Sequence, residues 1–177
     1  MSLDMFVVLA NQYNTESDAL ADYDAVRKLY NELGIIDTYD AAVLTRRADR
    51  KVEIVKRVEE PTRHGAAAGL LIGLALGAIV VLFPAAGIGM AAGMGGGGAI
   101  GTAAGAVAGH VARGMSRSDL KELGELLDDG KSGLVVVAAS DVASKVEAAI
   151  TRAKKRAKAR LQTDVDALKK EIDNMAV

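Results

Sequence analysis

From Gly65 to Ala112 the chain carries no Lys, Arg, Asp or Glu, and glycine recurs at four-residue steps: Gly65, Gly69, Gly73 and Gly77, then Gly89, Gly93, Gly97, Gly101, Gly105 and Gly109. A charge-free segment of this length has to be hidden from water, in lipid or against protein. Four-residue spacing puts each glycine about one helical turn from the last, leaving a bare stripe against which a second backbone can pack closely. These glycines are the candidate helix-packing and self-association positions.

The polar flanks on either side are about 64 and 65 residues long, too short for either to bury a generous core alone. Lys plus Arg is 22 and Asp plus Glu is 23, so the global charge gives no warrant for a nucleic-acid partner. The chain has no Cys, which removes disulfides, thiolate nucleophiles and thiolate metal sites. The first residues, Met-Ser-Leu-Asp-Met-Phe-Val-Val-Leu-Ala, place an Asp where a signal peptide is basic, so the sequence predicts no cleaved signal and a cytoplasmic start.

Met5 to Ala10 is a continuous apolar run that predicts a buried strand. Thr15 opens a helix, Asp18 makes an acidic variant of the capping box, and Leu20, Tyr23, Val26, Tyr30 and Leu33 recur at helical steps until Gly34 stops it. Tyr39 to Leu44 and Val52 to Val58 read as two strands joined by a turn over Arg46 to Arg50. Ser116 caps a second helix bearing Leu120, Leu123, Leu126 and Leu127, and Gly133 to Ala139 is a buried strand. Strand, helix, strand, strand, helix, strand is the order of a ferredoxin-like split βαβ sandwich, an α+β fold whose four-stranded sheet carries two helices on one face. In this reading residues 1–63 and 116–140 form one discontinuous domain, residues 64–115 are a Gly/Ala-rich helical hairpin inserted into it, and residues 141–177 are a long C-terminal helix with a basic segment.

The opening strand and helix, the central Gly/Ala-rich insert and above all Asp119-Leu-Lys-Glu-Leu-Gly-Glu-Leu-Leu-Asp-Asp-Gly-Lys-Ser-Gly-Leu-Val-Val-Val-Ala-Ala139 resemble the bacterial domain-of-unknown-function family numbered twelve-sixty-nine, whose members are often labelled membrane proteins. The resemblance covers about residues 4 to 150. It implies membrane association and supplies no activity, cofactor or catalytic residue. Beyond it the chain departs, with Arg152-Ala-Lys-Lys-Arg-Ala-Lys-Ala-Arg160 where family members tend to return to an extended segment.

Gly65 to Phe83 is 19 residues, about 28 Å of helix against a hydrocarbon core of about 30 Å. Pro84 places a turn at Phe83 to Gly87, and the second arm, Gly89 to Ala112, is weakened by Gly95 to Gly98 and needs a close partner. Arg63 and His64 precede the hairpin while Arg113 and Arg117 follow it, which puts both ends on the cytoplasmic side of a bacterial inner membrane. The tip has no polar residue to meet water, so a re-entrant hairpin or one enclosed in a cytoplasmic protein assembly is the alternative.

Chemistry is sparse. Gly96 to Gly101 matches G-x-G-x-x-G without a preceding strand, and Gly130-Lys131-Ser132 leads into a strand rather than a helix, so neither is read as a phosphate loop. His64 and His110 would meet at the base of the hairpin, marking the apolar boundary or, less simply, forming a metal or proton-sensing pair. No nucleophile and base combine, and the reading is non-enzymatic, with no cofactor, metal or small-molecule substrate. Val146, Ile150, Ala153, Ala157, Leu161, Val165, Leu168, Ile172 and Met175 give the C-terminal segment a helical apolar stripe. It suits helix pairing between subunits or docking on the sheet's own domain, while Arg152, Lys154, Lys155, Arg156, Lys158 and Arg160 suit anionic lipid headgroups. No aromatic lies among these cations to stack on bases, which argues against nucleic acid. The expectation is a membrane-associated homo-oligomer, or alternatively a soluble self-assembling ring, cage or filament with the hairpins inside.

Overall fold

The computed structural model describes residues 4–34, 39–48, 51–57, 74–82, 88–90 and 108–175. Its centre is β1 (Asp4–Tyr13), flanked by β5 (Ser132–Ala139) and β6 (Lys155–Thr163), both antiparallel to it. β2 (Tyr39–Arg46) pairs antiparallel with β5, and β3 (Val52–Arg57) with β2. A short β4 (Ile88–Met90) adds to β3 in parallel, giving a six-stranded mixed sheet in the order β4-β3-β2-β5-β1-β6. β1 and β2 thus run parallel with β5 between them, and the protein is α+β in class.

The continuous apolar runs of β1 and β5 have a structural reason: both faces of the sheet are covered. On one face Leu9, Tyr13, Ala41, Val43, Leu134, Val136 and Ala138 pack under α1 (Glu16–Leu33) and α4 (Ala143–Ala149). On the other, Phe6, Val8, Ala10, Ala42, Leu44, Val52, Ile54, Val135 and Val137 meet α2 (Leu74–Leu82), residues Val111 and Met115, α3 (Arg117–Asp128) and Leu168 of α5 (Val165–Met175). A strand enclosed on both faces has no side left for polar residues, so alternation disappears from its sequence. The expected two helices on a single face are therefore corrected to helices on both.

Local chemistry sets the helix limits. Thr15 Oγ accepts from the Asp18 N–H at 3.2 Å, and the Gly34 N–H reaches back to the Asn31 and Tyr30 carbonyls. Ser116 Oγ accepts from the Asp119 N–H at 3.1 Å. Across the β2–β3 turn Arg47 holds Glu53 with two bonds of 2.8 and 2.9 Å, which keeps the Glu53 carboxyl below the ordinary carboxylate range.

The C-terminal segment is corrected most. Instead of one long helix, residues 143–175 form α4, the nine-residue strand β6 and α5. Arg156, Lys158 and Arg160 point away from the side chains of Ala157, Ala159, Leu161 and Thr163, which turn inward, a period of two rather than 3.6. β1 would otherwise be a sheet edge along nine paired positions, Asp4 to Gln12, and capturing β6 satisfies that row of N–H and C=O groups. The cations then sit on the outermost strand, where charge discourages further pairing.

Candidate functional site

The charge-free segment enters the described structure at Leu74. Asp40, on β2 and 1% exposed, places one carboxylate oxygen 2.8 Å from the Ala75 N–H and the other 3.0 Å from the Ala41 N–H. A carboxylate at this point serves the first turn of α2 as a cap supplied from another element, satisfying an orphan N–H and complementing the helix dipole. α2 is apolar all round, Leu-Ala-Leu-Gly-Ala-Ile-Val-Val-Leu, as expected for a helix enclosed in protein or lipid. Ala75, Ala78 and Ile79 are each at most 1% exposed and lie in the same core cluster as the β2 and β5 side chains.

The far end of the segment returns to the same face. Residues 108–114 are helical, and Val111 and Met115 join the cluster that holds α2. Gly114 lies against β6 so closely that a Cβ there would run into the Gln162 carbonyl oxygen, a backbone atom. His110 meets Glu171 of α5 at 2.8 Å. Where water has to be excluded, the described parts of the segment use the sheet of their own domain.

Of the glycines singled out from the sequence, Gly77 is buried in α2, and Gly109 is half-buried with open space where its Cβ would stand. Gly89 is in β4 opposite Glu53, a sheet edge rather than the helical arm expected of it; the edge of β3 leaves backbone groups for a short partner strand to satisfy. Gly65, Gly69, Gly73, Gly93, Gly97, Gly101 and Gly105 lie outside the described residues, as do Arg63, His64 and the Phe83–Gly87 turn. Among the described residues no helix is long and apolar enough to cross a membrane. At nine residues, α2 rises about 13 Å.

The basic residues divide. Arg113 and Arg117 are exposed after the segment. Arg152 faces Asp18 at 3.4 Å, Lys155 faces Asp129 at 3.4 Å, Lys158 faces Glu147 at 3.1 Å, and Arg156 donates to the Glu147 carbonyl at 3.2 Å. All six cations from Arg152 to Arg160 are exposed, but these four have protein partners, and they are split between the strand's two faces and the loop before it rather than lying along one helix.

A second polar node lies on the opposite face. Asp22 of α1, 1% exposed, accepts from the Tyr13 hydroxyl at 2.9 Å, from the Arg152 N–H at 2.9 Å and from the Thr151 N–H at 3.3 Å. It pins α1 to β1 and to the loop between α4 and β6. Burial, and then the hydrogen bond to the Asp22 carboxylate, push the Tyr13 phenol far above its ordinary value. Neither Asp40 nor Asp22 stands out in the sequence, where an isolated carboxylate reads as part of a solvated face. Among the described residues no three His, Cys, Asp or Glu side chains gather as a metal site. No family model, curated protein or solved structure matches the chain.

Proposed function

We propose that this protein is a non-enzymatic, self-associating protein in which a ferredoxin-like unit mounts a glycine-rich segment. The unit consists of β1, α1, β2, β5, α4 and β6. Its strands stand in the order β2-β5-β1-β6, and the stretch from β3 through α3 is inserted between β2 and β5. The observation that carries the reading is the seating of α2: capped by Asp40 and packed into the cluster that also holds Val111 and Met115. The described residues before and after the glycine-rich stretch thus pack on one face of the sheet.

That remainder includes Gly93, Gly97, Gly101 and Gly105 at four-residue steps, a surface suited to close approach of the same segment in another copy. Replacing Gly97 and Gly101 by Leu tests this. Loss of the cross-linked oligomer is expected, and an unchanged oligomer size would show that close packing does not run through these positions. The partner is the protein itself, with no nucleic acid, cofactor or small-molecule substrate required.

A second reading is favoured by the absence of charge from Gly65 to Ala112 and the exposed Arg113 and Arg117 that follow. The segment then associates with a bacterial inner membrane from the cytoplasmic side, as the resemblance to the twelve-sixty-nine family implies. Carbonate-washed membranes separate the two: retention in the pellet supports the bilayer, and release as a monodisperse species without detergent supports a soluble assembly.

A further inference from the structure

One end of the sheet carries a cleft that the self-association reading does not use. Gln12, near the end of β1 and 4% exposed, donates from Nε2 to the Leu126 carbonyl at 2.9 Å, and its main-chain carbonyl accepts from the Lys154 N–H at 2.8 Å. A single buried residue therefore ties down both the end of α3 and the loop that enters β6. The turn after α3 closes tightly against it, since a Cβ on Gly130 would collide with the Gln12 side chain. Lys131 is carried by that turn, and Lys154 and Lys155 by the other loop and the start of β6. They converge on a cleft of about 350 Å³ with Asn14 and Asp129 also in its wall.

The charges in this wall do not cancel. Lys155 lies 3.4 Å from Asp129, while Lys131 and Lys154 are exposed and have no side-chain partner among the described residues. Holding three ammonium groups around one cleft against a single carboxylate leaves a positive potential that an anion relieves. Lysine ammonium groups act as point charges suited to phosphate oxygens, and the cleft is at the small end of ligand-site volumes. We propose that this cleft binds a small phosphate-bearing anion. Lys131, Lys154 and Lys155 supply the countercharge, the Asn14 side-chain amide supplies a neutral donor, and Asp129 limits affinity while positioning Lys155.

Calorimetric titration of the full chain with sodium pyrophosphate at low ionic strength tests the proposal, with circular dichroism confirming that each variant folds. Lys131→Gln with Lys154→Gln should weaken binding about tenfold, and Asp129→Asn should tighten it about threefold. Lys145→Gln, exposed on α4, should change nothing. Co-sedimentation with phosphatidylglycerol vesicles, against phosphatidylcholine vesicles, identifies the source of the phosphate. Lysine-dependent binding to the former without pyrophosphate binding assigns the site to a lipid headgroup, and pyrophosphate binding assigns it to a soluble ligand. The proposal is overturned if neither probe binds, or if binding is indifferent to the Lys131 and Lys154 substitutions. Neither result depends on oligomer size, so failure here leaves the self-association reading standing.

Discussion

Replacing Asp40 by Ala removes the acceptor for two backbone N–H groups at 2.8 and 3.0 Å, in a site where the carboxylate is 1% exposed. Leaving a buried donor without its partner costs about 1–3 kcal/mol, and loss of a helix cap about 1 kcal/mol. These overlap at Ala75, so the expected loss of stability is about 2–3 kcal/mol. Asp40→Asn keeps one acceptor oxygen but turns its NH2 toward the other N–H and loses the charge facing the helix N-terminus, a cost of about 1–2 kcal/mol. Urea unfolding followed by circular dichroism measures both, and hydrogen exchange locates the effect: the Ala75 amide should lose protection most. If Asp40→Ala unfolds within about 0.5 kcal/mol of the parent and Ala75 exchanges as before, Asp40 does not anchor α2.

Gly114→Ala forces a methyl group onto the Gln162 carbonyl oxygen, and the resulting overpacking should cost about 1–3 kcal/mol, while Gly109→Ala, with open space at its Cβ, should not destabilise the isolated chain. Leu161→Ala should cost about 2–5 kcal/mol, as for a side chain enclosed between strand and helices, and Arg160→Ala less than about 0.5 kcal/mol; equal effects would argue against the inward and outward alternation of β6. The phenol of Tyr13 stays protonated in the folded chain while an unfolded tyrosine ionises near pH 10, so the folded state binds the extra proton and its stability should fall as pH rises above about 10. In a chain with four Tyr and no Trp, tyrosinate absorbance reads this directly: Tyr13 should ionise only with unfolding, and Tyr13→Phe should lessen the alkaline loss.

Much of the fold is legible where one period dominates. The run Val7-Val8-Leu9-Ala10, the Thr15 cap and the Leu123–Leu127 helix each point to a single local structure, and each is found. β6 is different. In Arg156-Ala-Lys-Ala-Arg-Leu-Gln-Thr163 the alternating alanines are small enough to fit a helical stripe as well as a strand face, and helices on both sides extend that stripe through it. What decides is non-local, the unpaired edge of β1. The same holds for Asp40 and Asp22, whose roles come from N–H groups 35 and 129 or 130 residues away in sequence. The absence of charge from Gly65 to Ala112 implies a segment that avoids water, but a segment free of charge packs equally well in lipid or on a protein sheet. For Leu74–Leu82 that choice is made by one buried carboxylate and the apolar second face of the sheet.

Residue-resolved hydrogen exchange of the detergent-free protein across Ala75 to Leu82 tests the seating of the glycine-rich segment most directly. Amides in α2 as slow as those of β1 and β5 are the predicted result. Rapid exchange there with the strands still protected would contradict it, because the segment would then not be held on its own sheet.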